Sequence, residues 1–95
     1  MSTVITAAVA ALNAKMDDGF DGLAKFVIAG EGSIMVDADG ARDGDEDADV
    51  TLSADSDTFE AMLSGNLNPT VAFMSGKLAV DGDMGLAMKL GAVLG

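Results

Sequence analysis

The residues of this sequence that could do chemistry are mostly carboxylates, and many of them crowd into positions 37–49. Such a run suggests a calcium loop, because Ca²⁺ prefers oxygen ligands. An EF-hand loop needs glycine at its sixth position and glutamate at its twelfth. Counted from Asp43, these positions hold Ala48 and Ala54; counted from Asp37, they hold Arg42 and Ala48. We therefore interpret the run as a solvated turn that protects an edge strand from aggregation, with no metal site.

The side chains that most often perform catalysis are missing. The sequence has no histidine, cysteine or tyrosine, and no carboxylate lies in an apolar run typical of a general acid. The segment Gly82-Asp83-Met84-Gly85 can open a helix, but Asp83 stands where a phosphate would bind, and no lysine follows at P-loop spacing. The sequence therefore predicts a protein that is not an enzyme and needs no cofactor.

Charge and length exclude further classes of function. Sixteen acidic against five basic residues give a net charge of −11, which disfavours nucleic acids and anionic membranes as partners. The 95 residues are enough for one domain, 1–95, and contain no apolar run long enough to span a bilayer. The start of the chain lacks the basic residues of a signal peptide, so we expect a soluble intracellular protein.

An amphipathic helix is predicted at the start of the chain, because apolar residues recur there at helical spacing. Ser2 or Thr3 can cap this helix, and Asp17 and Asp18 end it. The stripe that it would bury contains Ile5, Ala8, Val9, Leu12 and Met16.

Alternating apolar residues then predict strands over 23–29, 33–38 and 49–54. Met35 falls on the strand face opposite Ile34 and Val36. The charged segment 41–48 forms at most a short edge strand. Ser56 or Asp57 is expected to cap a second helix, whose inner face carries aromatic and apolar residues.

The stretch from Asn68 to Leu90 predicts helix, strand and helix with short connections. Asn68 can cap the first helix, with Pro69 at its first position, and Gly76 ends it. Asp83 can cap the last helix, which is apolar over most of its circumference. Since each strand has one apolar face, we predict an α+β fold with helices on one side of a mixed sheet and water on the other.

The same stretch resembles the sterol carrier protein 2 (SCP2) lipid-transfer family. The resemblance is carried by the strand Asp49-Val50-Thr51-Leu52, by Ser64-Gly65-Asn66-Leu67-Asn68-Pro69, by the segment 72–78 (AFMSGKL), and by Met84-Gly85-Leu86-Ala87-Met88-Lys89-Leu90. It implies about five strands covered on one face by helices, with an apolar tunnel between helices and sheet. The family has a fuller strand where this chain has 41–48.

The resemblance also implies a lipid site, between the C-terminal helices and the sheet. Residue types alone do not separate such a site from a filled core. The predicted tunnel wall contains Phe26, Ile28, Ile34, Val36, Phe59, Met62, Leu63, Phe73, Met74, Met84, Met88 and Leu94.

The predicted function is non-catalytic binding and transfer, or presentation, of a hydrophobic ligand. A neutral lipid, sterol-like or other, or a simple fatty acid is favoured over acyl-CoA, because few cations could hold a phosphate. The alternative is an accessory module whose groove binds a partner protein or subunit, and a metal-buffering acidic protein ranks below both. The resemblance implies a peroxisomal tripeptide in some members, whereas this chain ends in Val93-Leu94-Gly95. We therefore expect a cytoplasmic bacterial protein, monomeric or weakly dimeric, with a lipid-handling enzyme as one partner.

Overall fold

The computed structural model describes residues 3–16 and 19–94, and of Leu94 only the backbone. The cap predicted at Ser2 and the helix end predicted at Asp17 and Asp18 lie outside these residues. The elements, in chain order, are α1 (Thr3–Lys15), β1 (Ala24–Ile28), β2 (Gly32–Asp37), β3 (Gly40–Asp43), β4 (Val50–Ala54), α2 (Ser56–Leu63), α3 (Pro69–Met74), β5 (Ala79–Gly82) and α4 (Met84–Leu94).

The strands of the described residues form one mixed sheet in the order β3-β2-β1-β4-β5. β1 pairs with β2 antiparallel and with β4 parallel, in a register that sets Phe26 beside Ile34 on one side and Leu52 on the other. The outer pairs, β2 with β3 and β4 with β5, are antiparallel. The predicted α+β architecture with a five-stranded mixed sheet is therefore confirmed, and the charged segment does form a short edge strand.

Local capping chemistry sets the starts of the last three helices. Asn68 accepts a hydrogen bond from the Thr70 N–H at 2.8 Å, and Asp83 accepts one from the Leu86 N–H at 3.1 Å, as predicted. The prediction for α2 was wrong by one residue: Asp55 is the cap and accepts from the Thr58 N–H at 2.7 Å. Asp55 takes this role because its backbone is extended, at φ −77° and ψ 168°.

The helices cover one face of the sheet, and the core lies between the two layers. The inward positions of β1 and β2 are wholly buried there together with Ile5, Ala8 and Leu12 of α1. From α2, Phe59 and Met62 join the same cluster. The alternation along the strands therefore predicted the inner face correctly.

The opposite face of the sheet is not left to solvent. Residues 44–49, which we call the back strap, must pass behind β2 and β1 to connect the edge strand β3 with β4. The Glu46 N–H donates to the Met35 sulfur at 3.4 Å, and Lys25 Nζ lies 3.0 Å from Asp45 Oδ1. Met35 is consequently 0% exposed, although it lies outside the main core.

A side chain covers the outer edge of β3. Asn13 of α1 donates from Nδ2 to the Ala41 carbonyl at 3.0 Å, and its Oδ1 accepts from the Ala41 N–H at 2.8 Å. The amide thus satisfies both outward backbone groups of one edge residue, as a neighbouring strand would.

Candidate functional site

A groove of about 260 Å³ lies between α1 and α2. It is open on one side, and small or apolar side chains form most of its wall. Its lining residues are Val4, Ala7, Ala8, Ala11, Phe59, Glu60, Leu63 and Ser64. Because α1 presents three alanines here, the helices leave space that larger side chains would fill.

The floor of the groove is continuous with the hydrophobic core. Phe59 lines the groove but is only 1% exposed, so most of its ring lies beneath the surface. The ring centroid is 5.0 Å from that of Phe26 on the central strand, with the planes tilted at 58°. This separation is in the range of a favourable aromatic pair. A ligand in the groove would therefore rest on a side chain anchored to the sheet.

Apart from Leu63 and Leu94, the predicted wall residues fall into two groups. The first group comprises side chains buried in the core under the helices: Phe26, Ile28, Ile34, Val36, Phe59 and Met62. Among the predicted residues, Phe59 and the half-buried Leu63 also line the groove. Phe59 and Leu63 are thus the predicted wall residues that border the groove between α1 and α2.

The second group lies on the C-terminal helices and faces outward. Met74 and Met88 are 79% and 74% exposed, and Phe73 and Met84 are 43% and 49% exposed. None of the four belongs to the core cluster or to the side chains packed against it. The side chain of Leu94, the remaining predicted residue, lies outside the described part of the chain. The participation of all these residues in a lipid site stays a prediction.

The alanine-lined side of the groove was not predicted as part of a site. Ala7, Ala8 and Ala11 follow one another at positions that share a helix face. This spacing is the sequence signal that could have indicated the groove wall. The sequence pattern assigns Ala8 only to the buried stripe of the first helix. Without knowing which helix packs against α1, a row of small residues is indistinguishable from ordinary close packing.

The polar lining of the groove is confined to the end of α2. Glu60 is exposed, and none of the ion pairs found among the described residues involves it. Ser64 donates from Oγ to the Ala61 carbonyl at 3.2 Å. No lysine or arginine of the described residues lines the groove.

The cations of β1 and β3 are engaged elsewhere. Lys25 holds the back strap through Asp45, and Arg42 pairs with both Asp37 and Glu46. The hydrogen bond from Arg42 lowers the pKa of the Asp37 carboxyl. These charges stabilise the β3 side of the sheet and do not belong to the groove.

Charge is distributed unevenly along the chain. In residues 64–94, Lys77 and Lys89 balance Asp81 and Asp83, so this part is electrically neutral. The net charge of −11 therefore arises in the residues before it. The exposed apolar side chains of α3 and α4 lie in the neutral part.

Two further kinds of site are absent from the described ranges. No group of three or more acidic residues there is arranged to hold a metal ion. None of the helices in these ranges has the length and hydropathy required to cross a bilayer.

Comparison with known proteins connects this architecture to a family. The family model described as the SCP-2 sterol transfer family matches residues 6–95. The chain belongs to this family. The resemblance inferred from the sequence is thereby confirmed.

Solved SCP2 structures share the fold. The sterol carrier protein domain 2 of Helicoverpa armigera superposes with a TM-score of 0.76 at 27% identity, covering 96% of this chain and 84% of that one. Sterol carrier protein 2 from Aedes aegypti, solved in complex with palmitate, gives a TM-score of 0.79 at 22% identity, covering 99% and 96%.

Some proteins that are similar in sequence are much longer than this chain, and only one part of each matches it. Hydroxysteroid dehydrogenase-like protein 2 of Xenopus tropicalis is 44% identical over 82 residues, which cover 78% of this chain. The match spans only 20% of the length of that relative. The similarity therefore concerns one domain of the larger protein.

Proposed function

We propose that this chain is a non-catalytic lipid-binding domain that holds a hydrophobic ligand and transfers it or presents it to an enzyme. The observation that carries the proposal is the apolar groove between α1 and α2, whose floor is the core residue Phe59. Membership of a sterol transfer family supports it. So does the fold shared with a carrier solved in complex with palmitate.

Apolar contact can supply the binding energy without a charged anchor. Each buried CH₂ group contributes about 0.8 kcal/mol, so ten of them give about 8 kcal/mol before the costs of association are subtracted. A net free energy of that size, left after these costs, would correspond to micromolar affinity. The groove needs only to exclude water from part of a long ligand.

The absence of histidine, cysteine and tyrosine from the sequence supports a role without chemistry. We expect a lipid-handling enzyme to make or consume the ligand. We expect the exchange to take place in the cytoplasm.

Two alanines on α1 offer a matched test of the groove. Ala7 lines it, whereas Ala10 is also exposed on α1 but lies outside the lining. In a titration with a fluorescent long-chain alkyl probe, Ala7→Leu should weaken binding about tenfold, because the added side chain occupies the space. Ala10→Leu should leave the affinity unchanged. Equal affinities in wild type and both variants would refute binding in the groove.

A second candidate function is supported by the exposed side chains of α3 and α4. Met74 and Met88 expose most of their surface on the electrically neutral part of the chain, and methionine adapts to varied partner surfaces. Such a face would suit an accessory module that contacts a partner enzyme or a second subunit. Native mass spectrometry separates the two candidates: lipid retained by the monomer supports the carrier. A dimer without lipid that Met88→Lys dissociates supports the module.

A further inference from the structure

The polar atoms at the mouth of the groove bear on which ligand it accepts, provided that the proposed lipid-binding function holds. The floor and walls are apolar, so a polar head group placed there would lose its hydration without compensation. A ligand must therefore keep its head group at the rim. The polar side chains that meet it there are those of Glu60 and Ser64.

Both side chains offer acceptors rather than donors. An ionised glutamate has no proton to donate. The Ser64 hydroxyl proton already goes to the Ala61 carbonyl, and the Ser64 N–H donates to the Glu60 carbonyl at 2.9 Å. The oxygens of Glu60 and Ser64 can still accept a hydrogen bond. The rim thus complements a head group that donates, such as a hydroxyl.

The negative charge of Glu60 also favours an uncharged head group over a carboxylate. A fatty-acid carboxylate can only accept hydrogen bonds and is repelled by the Glu60 carboxylate. Both rim residues lie at the C-terminal end of α2, where the helix dipole also disfavours an anion. No lysine or arginine among the groove residues of the described chain offsets this repulsion.

The size of the groove limits how much of the ligand it can hold. A volume of about 260 Å³ exceeds the roughly 150 Å³ of a cavity that binds benzene. It is below the roughly 300–1,000 Å³ typical of sites for drug-sized molecules. A short alkyl segment fits, with its head group beside Glu60.

We propose that Glu60 and Ser64 make the α1–α2 groove selective for apolar molecules that end in an uncharged hydroxyl, and that Glu60 rejects carboxylates. Glu60 is thus a specificity-determining residue. The chemical class selected is that of alkyl alcohols.

The test compares 1-octanol with octanoate at neutral pH, with affinities measured from the NMR shifts of the alanine and leucine methyl groups of the full chain. Wild type should bind octanol at least about tenfold more tightly than octanoate. Glu60→Gln should tighten octanoate binding about fivefold, the effect of removing one charge at about 4 Å in water. It should also weaken octanol binding, because the neutral amide oxygen accepts a hydrogen bond less strongly than the carboxylate. Asp57→Asn is the matched control, because Asp57 is an acid of α2 outside the groove lining. It should leave both affinities unchanged.

The outcomes distinguish this inference from the proposed function. If octanoate binds wild type as tightly as octanol, or if Glu60→Gln and Asp57→Asn alter the preference equally, the selectivity is refuted while lipid binding stands. If neither compound shifts the methyl groups of the groove, lipid binding at this site and its selectivity both fail. A preference for octanol that Glu60→Gln alone reduces supports the inference.

Discussion

Truncation of Phe59 tests the link between the groove and the core. Its ring is 1% exposed and pairs with Phe26, so Phe59→Ala removes a fully packed side chain. Such truncations cost about 3–5 kcal/mol. A 95-residue domain has a free energy of unfolding of roughly 5–14 kcal/mol, at about 0.05–0.15 kcal/mol per residue. We expect the variant to fold with a large part of its stability lost.

The second part of this prediction concerns ligand binding. The space left by the ring joins the groove, so the variant should bind an alkyl alcohol more tightly than wild type does. At a free concentration about 100 times the dissociation constant, the alcohol should restore about 2.7 kcal/mol. A larger gain in stability for the variant than for wild type, at the same alcohol concentration, would show that the deleted ring and the ligand occupy adjoining space.

Urea unfolding followed by far-ultraviolet circular dichroism is the appropriate assay, because the chain has no tryptophan or tyrosine. The control is Phe73→Ala, the same truncation at a side chain that is 43% exposed. It should cost roughly 1 kcal/mol or less. Equal losses in the two variants would refute the packing argument. A Phe59→Ala variant that binds alcohol no better than wild type would refute the continuity of groove and core.

Two further predictions concern the elements around the site. The hydrogen bond from the Thr58 N–H lowers the pKa of Asp55 in the folded state, so its carboxylate stabilises the fold above about pH 3.9 and stops doing so as pH falls through the folded value. Asp55→Asn keeps a capping oxygen but cannot titrate, so the stability advantage of wild type, measured in urea, should shrink as the solution is acidified. A constant difference would contradict this assignment. Gly82 has φ +106°, and a Cβ there would lie 2.4 Å from the Asp49 carbonyl oxygen. Gly82→Ala should therefore lower the thermal midpoint more than Gly76→Ala, where φ is +80° but the space is open. If the two variants had equal thermal midpoints, the positive φ at each glycine would account for the whole loss of stability, and the close approach to Asp49 would contribute nothing.

Features governed by short-range chemistry were predictable from the sequence. Asn68 with Pro69, and Asp83, fixed the starts of α3 and α4 correctly, because a cap depends on neighbours within one turn. Around α2, however, several adjacent residues were suitable caps. Only the extended backbone at Asp55 selects among them, and the composition of the segment does not reveal that conformation.

Features that depend on distant contacts were not predictable in the same way. Alternation assigned Met35 to the outer face of β2, yet it could not show that the back strap would cover that face. The groove likewise arises from the packing of α1 on α2. Apolar patterning therefore predicted a ligand wall at the methionines of α3 and α4, whereas the groove between α1 and α2 lies beside alanines.

The contact between Asn13 and Ala41 has a consequence for the behaviour of the protein at high concentration. Exposed sheet edges invite strands from other molecules, and this route ends in intermolecular sheets. At β3 the amide already occupies the two backbone groups that an incoming strand would use first. Any sheet that continues from one molecule to the next should therefore grow from β5, at the opposite margin.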